Sequence, residues 1–414
     1  MEERTNCFLH AWMPAGSQVR VHSDTSAPVP TRAQTTGRAF FLRLVYNVLM
    51  KNQPSIEKLD RNMAPAAGST RPVAWHCPKA APFHIAGFAW FDSDRLYRRM
   101  PLHPREPLPA AVDQLANATA GGQIRFRTDS TQIAVRVRLA GLANMNHMPA
   151  TGQCGFDAYL EQDGRKVYYN TTKYDRTLQA YDYLLCDLEP GRVYSVTLNF
   201  PLYMGVEEVL VGLDPAAQIL PPPAYADPRR VIVYGTSITQ GGCASRPGMC
   251  YTNILSRRIN LEFINLGFSG NGKGEPEVAR TIASIPNPAL FVLDYEANAM
   301  GIDNLRRTFP EFLRILRQAH PQTSILAVSQ IPFATEAFHA SACAARLHRR
   351  DFQRDTIDAL RAAGDANVHF FDGSNLLGDD WQESTVDSVH PNDLGFWRIA
   401  NSLEPAFRSI LTLP

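Results

Sequence analysis

The sequence contains no C-x-x-C pair, no H-E-x-x-H signature and no apolar run long enough to span a bilayer. The first two absences remove the usual marks of zinc ribbons, thioredoxin-like chemistry and zinc proteases, and the third removes a transmembrane helix. Cysteine is scarce as well. Seven cysteines in 414 residues are too few and too irregularly spaced for a disulfide framework, which points to a reducing compartment. Cys243 and Cys250 are close enough in sequence for a local bridge, but the sparse count favours two free thiols. Net charge is almost missing: 41 basic side chains oppose 40 acidic ones, leaving +1. Such a balance carries no global footprint for nucleic acid or an anionic membrane surface. The opening Met-Glu-Glu-Arg lacks the charged-then-apolar pattern of a signal peptide, so a cytoplasmic location is expected.

What is present is a chain long enough for two or three domains, with 45% apolar and 10% aromatic residues to fill their cores. Its first part is atypical. Between Glu3 and Glu57 the only acid is Asp24, and Ala39 to Met50 (AFFLRLVYNVLM) is the only strongly apolar patch before residue 80. A transit-like extension, an upstream start before Met50 or Met63, and a short docking helix all fit this pattern. Prolines 65, 72, 78 and 82 then punctuate a small-residue stretch. Residues 1–82 are accordingly expected to be a poorly ordered extension.

From there the pattern is that of short strands. Gln132 to Leu139 (QIAVRVRL) places Ile133, Val135, Val137 and Leu139 on one face and arginines on the other, the period-two signal of a half-buried strand. Similar stretches are 155–161, 166–170, 193–200 and 208–213, with Asp163-Gly164 where a tight hairpin turn is wanted. An antiparallel β-sandwich over 83–222 is expected. The run Leu220-Pro-Pro-Pro-Ala-Tyr-Ala-Asp-Pro228 breaks all periodicity. Beyond it RVIVY (230–234), LEFINL (261–266), ALFVLDY (289–295), SILAVS (324–329) and VHFF (368–371) are continuous apolar runs separated by helical patterns such as 304–320. That grammar predicts a three-layer α/β domain with a parallel sheet over 223–414.

Ligands of such sheets bind at the carboxyl ends of the strands, and here those ends are polar and glycine-rich. Gly235-Thr236-Ser237 follows the first strand, Gly267-Phe268-Ser269-Gly270-Asn271 the second, and Glu296-Ala297-Asn298 the third; Asp387-Ser388-Val389-His390 precedes the last helix. Taken singly, each has a plainer reading: a helix-capping serine, a tight turn, a loop-bracing asparagine, a solvated histidine. Gly267 with Gly272-Lys273 also fits G-x-x-x-x-G-K of a phosphate-binding loop. Gly274, however, stands where that loop needs a Ser or Thr for Mg²⁺.

In this order the four blocks resemble the SGNH hydrolases, also called GDSL-type esterases. The resemblance implies a flavodoxin-like α/β/α fold, Ser237 as nucleophile, His390 as base oriented by Asp387, and an oxyanion hole made by the Ser237 and Gly270 amides and the Asn298 side chain. The glycine-rich turn would then face a tetrahedral intermediate, with Lys273 and Glu275 near its rim, touching substrate or facing solvent, the second being preferred. The usual GDS is GTS here, and the usual Asn-Asp pair is Asn298-Ala299. Gly155-Phe156-Asp157-Ala158-Tyr159 further resembles the GxDLY-type signature of a jelly-roll-like sandwich that precedes the hydrolase in one subgroup, one containing an acyltransferase of polyketide tailoring beside esterases. The resemblance thus implies an enzyme without metal or cofactor, acting on a small acyl ester or acylated sugar. A different class of function is a carbohydrate-binding protein with an inactive hydrolase-like domain, its Trp90, Phe91 and Tyr97 stacking on sugars.

Overall fold

The structure, a computed structural model, describes residues 56–60, 63–64 and 71–413. The apolar patch 39–50 and most of the expected extension lie outside these residues. The chain forms two compact units, residues 1–64 and 65–414. Of the first, a single helical turn, Ile56–Leu59, is described.

The larger unit begins with an antiparallel sandwich. One sheet has the order β1-β9-β4-β7, formed by Ala74–His76 (β1), Gln132–Leu139 (β4), Ala180–Asp187 (β7) and Val206–Leu213 (β9). The other has the order β10-β3-β8-β5-β6, formed by Gln123–Thr128 (β3), Asp157–Gln162 (β5), Arg165–Thr171 (β6), Tyr194–Asn199 (β8) and Ile219–Leu220 (β10), with His84–Ala86 (β2) also paired to β3. Strand β1 starts before the expected boundary at residue 83. Its three residues pair with Val211 to Leu213, and Trp75 is covered by the Arg136 guanidinium at 4.2 Å, so the proline-rich stretch is partly structured. The β5–β6 hairpin turns through Asp163 (φ 51) and Gly164 (φ 73), the two positive φ values that a type I′ turn requires.

Five parallel strands come next: Arg230–Gly235 (β11), Glu262–Gly267 (β12), Pro288–Asp294 (β13), Ser324–Val328 (β14) and Val368–Phe371 (β15), in the order β12-β11-β13-β14-β15. This is the flavodoxin-like order, whose switch point lies between β11 and β13. Alternate residues serve opposite layers. Val231, Val233, Phe263 and Val292 pack against Tyr251–Ile259 and Asp393–Leu411, while Ile232, Tyr234, Ile264 and Phe291 pack against Pro276–Ala283 and Ile302–Ala319. Helix Ile302–Ala319 buries Leu305, Phe309, Phe312, Leu313 and Leu316, the face its sequence period marks out.

The sandwich and the α/β layers share their cores. Met100, Val112 and Ala116, from the segment between β2 and β3, join one apolar layer of the parallel sheet; Ala120, Met148 and Leu202 join the other. Burying a side chain of Met or Val size contributes about 1.5–3 kcal/mol, so these contacts make the two parts cohere strongly. Polar anchors add direction. Arg99, with no exposed surface, donates to the carbonyls of Ala118 (2.7 Å), Leu115 (2.7 Å) and Gly267, joining the sandwich side to the end of β12. Asp157 accepts from Asn199 Nδ2 (2.7 Å), Arg246 Nη1 (2.9 Å) and the Gly248 amide (2.7 Å), joining β5 to the loop beyond β11.

Replacing one member of a buried ion pair leaves the other uncompensated, at a cost of about 3–5 kcal/mol. Asp157→Ala should therefore lower the thermal midpoint substantially, by differential scanning fluorimetry, whereas Asp182→Ala at the exposed Arg136 pair should change it little. Equal small shifts would show that Asp157 is not a principal tie.

Candidate active site

Three of the four sequence blocks sit at the carboxyl ends of β11, β12 and β13, and the fourth lies on the loop before the final helix. Thr236 ends β11 as a helix cap, its Oγ1 accepting from the Ile238 amide at 3.2 Å. Ser237 is thus the first residue of the short helix Ser237–Gln240, where an amide has no acceptor within the helix. A threonine does here what a cap must do, so departure from GDS leaves the serine in place.

Ser237 Oγ lies 2.8 Å from His390 Nε2, and His390 Nδ1 lies 2.7 Å from Asp387 Oδ2. Asp387 Oδ1 accepts from the backbone amides of His390 (2.8 Å) and Val389 (3.2 Å), so the three-residue spacing closes as a tight loop with Ser388 at φ 71. Partial burial would raise the Asp387 carboxyl, but the His390 amide, the His390 ring and the Val389 amide outweigh it and hold the group below the usual carboxylate range.

The glycine-rich turn lies beside this pair. Gly270 has φ 68, and a Cβ placed on it would meet no atom within 4 Å. Glycine is needed there for the left-handed backbone, and the space over the residue is open. Asn298 reaches the same turn. In one orientation its Nδ2 donates to Phe268 O at 3.4 Å; with the amide turned over, Oδ1 accepts from the Gly270 (3.3 Å) and Asn271 (3.2 Å) amides and Nδ2 is released to the other side. The second orientation makes more bonds. Ala299, in place of the usual acid, is packed into the apolar layer.

Two expectations are corrected. Glu275 does not simply face solvent: its Oε2 accepts from the Tyr234 hydroxyl and the Lys273 amide, both at 3.3 Å, closing the turn. Gly274 lies against the Tyr295 ring, where a Cβ would come within 2.6 Å, so this position of the phosphate-loop pattern is a packing requirement. Phe91 and Tyr97, considered as sugar platforms, are buried in the sandwich core. Trp90 is half-buried beside a cavity of about 790 Å³ also lined by His103, Arg105 and Arg280. None of the four blocks lines that cavity, so its size does not mark it as the place of chemistry. Cys243 and Cys250 are free thiols.

Sequence reading did not single out two residues from the sandwich. Tyr203 places its hydroxyl 3.4 Å from Ser237 O and 3.5 Å from Ser269 Oγ. His147 Nε2 lies 3.7 Å from Asp387 Oδ2, on the segment 144–153 that connects β4 to β5. Nothing local to this polar segment marks the histidine's destination. It is held by Gln153, whose side chain binds the Asn144 and Met145 amides and the Met145 and Met148 carbonyls.

Behind Ser237, Asp294 Oδ2 accepts from Thr239 Oγ1 (2.9 Å) and the Tyr251 hydroxyl (2.8 Å). Burial pushes its carboxyl up to about 6, the two hydroxyls opposing the shift only partly. A carboxyl raised on folding stabilises the fold fully below its unfolded value near 4 and loses that contribution as pH rises through about 6. Asp294→Asn should therefore gain stability relative to the parent protein between roughly pH 4 and pH 6, measured by urea unfolding across that window. A difference independent of pH would remove Asp294 as the titrating group.

Residues 228–408 match the family of GDSL-like lipases/acylhydrolases, and residues 73–219 match the GxDLY family, described as the N-terminus of SGNH-hydrolase-type esterases. Among solved structures, a protein of Bacteroides ovatus ATCC 8483 described as GDSL-like lipase is 29% identical with a TM-score of 0.76, the match covering 83% of this chain and 99% of that one. The salicylyl acyltransferase SsfX3 of a tetracycline biosynthetic pathway is 23% identical, with a TM-score of 0.68 and coverages of 84% and 100%. An acetyl xylan esterase, Est2A, from the rumen bacterium Butyrivibrio proteoclasticus has 12% identity, a TM-score of 0.52 and coverages of 83% and 100%. At such identities the latter two are likenesses of fold. Among curated protein sequences, none matches the chain.

Proposed function

Because the chain belongs to the GDSL-like SGNH hydrolases and carries their GxDLY-type N-terminal sandwich, we propose that it transfers a small acyl group through an acyl-enzyme on Ser237, to water or to an alcohol. The observation that carries this reading is the continuous relay from Ser237 Oγ to His390 to Asp387, at 2.8 and 2.7 Å. Serine alone is a weak nucleophile and needs an adjacent base held in the right tautomer.

In this reading His390 Nε2 takes the Ser237 proton as Oγ attacks the acyl carbonyl, and Asp387, kept ionised, stabilises the imidazolium. The carbonyl oxygen becomes an oxyanion facing the Ser237 amide, the Gly270 amide and Asn298 Nδ2. The open space over Gly270 leaves room for that oxygen; the Asn298 orientation that releases Nδ2 also draws the Gly270 amide to Asn298 Oδ1 at 3.3 Å, so that long bond has to give way to the oxyanion as charge develops. Protonation of the leaving alkoxide by His390 frees the first product; a water or alcohol, deprotonated by the same histidine, then releases the acyl group. These groups complete the chemistry without a cofactor.

The segment 144–153, with His147, and Tyr203 form a wall contributed by the sandwich. They are our candidates for selecting the acyl group or its acceptor, and a small ester or acylated sugar fits a site of this kind. The family and the three structural neighbours include both hydrolytic and acyl-transferring members, so a panel of short acyl esters and acetylated sugars, run with and without added alcohols, separates the two outcomes.

Ser237→Ala should abolish hydrolysis of a chromogenic short-chain ester, a loss on the order of 10⁶-fold in kcat, with unchanged circular dichroism. Near-parental turnover would sink the assignment. Asn298→Ala should lower kcat by roughly 10²- to 10³-fold with little change in KM, because its donor serves charge that develops in the transition state. A rise in KM alone would make Asn298 a substrate-binding residue.

A further inference from the structure

Beside the Ser237 relay, three side chains from distant parts of the chain converge. A ring nitrogen of His147, a ring nitrogen of His390 and Cys243 Sγ all lie within 4.8 Å of one another. His147 comes from the sandwich segment, Cys243 from the turn after helix Ser237–Gln240, and His390 from the loop before the final helix. Acyl transfer through Ser237 uses only one of the three.

Cys243 adds an independent observation. It adopts φ 75, a left-handed conformation that costs a non-glycine residue about 1–2 kcal/mol. The backbone is thus held in an unfavourable state at the residue whose thiol joins the cluster. Strain of this kind is retained where the surroundings dictate it, and it collects at functional sites.

We propose that His147, Cys243 and His390 form a zinc site whose occupancy reversibly blocks the enzyme. Two imidazoles and a thiolate are the donor set that selects zinc over magnesium or calcium. Zinc bonds of about 2.0–2.3 Å would draw the donors closer than they stand, which requires ring movements on the order of 1 Å. His147 and His390 are both partly exposed, so neither ring is enclosed on all sides. The surroundings suit ligand histidines: His147 Nδ1 lies 3.2 Å from Asn146 Oδ1, and His390 Nδ1 is bonded to Asp387, the arrangement that orients histidines toward metals. A water or Ser237 Oγ would complete the tetrahedron.

The block depends on which link the metal breaks. Zinc on His390 Nε2 replaces the bond to Ser237; zinc on Nδ1 replaces the bond to Asp387. In either case a proton leaves the thiol as the metal–sulfur bond forms, and His390 no longer has a lone pair for the serine proton. The inhibition rests on the proposed roles of Ser237 and His390, whereas the binding of zinc does not.

The test therefore reads binding and activity separately on the full-length protein. Cobalt(II) added to metal-free protein should give the visible bands of a tetrahedral site and a near-ultraviolet thiolate-to-cobalt band, which Cys243→Ala should abolish. Zinc should displace the cobalt, and competition with a chromophoric chelator should show zinc binding weakened by at least roughly 10-fold in Cys243→Ala and in His147→Asn, the lower end of what losing even an outer-shell partner costs. In ester hydrolysis, zinc should inhibit the parent protein with full recovery on EDTA, and Cys243→Ala should keep its activity in zinc concentrations that silence the parent. His147→Asn alters a partly exposed side chain, so it tests the site even where Cys243→Ala fails to fold. Absence of the thiolate band, or zinc affinity unchanged in His147→Asn, overturns the proposal. Binding as expected with no inhibition overturns the blocking role and throws doubt on His390 as the base; a protein inactive on every ester still answers the binding question.

Discussion

The Asp157 carboxylate has no exposed surface, and its two oxygens are committed to Asn199 within the sandwich and to Arg246 and Gly248 across from it. A charge so placed is costly unless fully paired, and here the pairing is also geometric. Arg246 is stacked on the Tyr168 ring at 3.7 Å and donates to the Tyr159 hydroxyl at 2.7 Å, so the guanidinium is fixed in plane as well as position. Residues 245–248 are therefore held against the sandwich at the point where the chain leaves the serine helix. Ser245 is tied in turn to Asp393, the first residue of the final helix, so the same contact reaches the element that comes after His390. The aspartate and tyrosine of the GxDLY-type stretch thus work as a joint between the sandwich and the α/β layers, while Phe156 and Ala158 fill the sandwich core.

A similar division of labour runs through the site. The side chains of the candidate relay are on short loops, and buried polar groups hold those loops from behind. Asn265 accepts from the Gly267 amide and donates to Thr239 O and Thr252 Oγ1; Gln240 accepts from the Ser269 amide. Arg99 grips the Gly267 carbonyl and covers the Phe268 ring at 4.9 Å. Burial pushes the Arg99 guanidinium down to about 9, which still leaves it a cation at neutral pH beneath the turn. These supports are expensive to bury singly and inexpensive as a connected set.

The parallel sheet was legible because its strands are buried on both faces and read as unbroken apolar runs. The sandwich was legible where apolar and polar residues alternate along the strand. Strand β4 shows clean alternation and was readable end to end. Strand β3 alternates too, Ile124 and Phe126 against Arg125 and Arg127, and was readable in principle; in the fold its polar face is covered by the proline-rich connector, where Arg125 stacks on Tyr225 at 3.8 Å and donates to Pro223 O. Strand β7 carries an alternating Tyr181, Tyr183 and Leu185 and was readable in principle. Of the site, the residues that sit at strand ends in a fixed order could be found. His147 and Tyr203 could not, since nothing local distinguishes a histidine or tyrosine in a polar loop until the fold brings it across a domain boundary. The importance of Asp157 was equally hidden, its partner Arg246 lying 89 residues away.

Gly152 lies so close to Ala244 O that a Cβ would collide with it, and Thr151 Oγ1 donates to Ser245 O at 2.6 Å. The helical turn after His147 is therefore fastened to the segment that contains Cys243, and Gln153 fastens the residues before it. A wall secured on both sides has given up its conformational freedom during folding. On the proposed reading, an acyl compound meeting this wall loses little affinity to ordering it, so discrimination is that of a mould, set by shape and worth about 1–3 kcal/mol for one carbon too many.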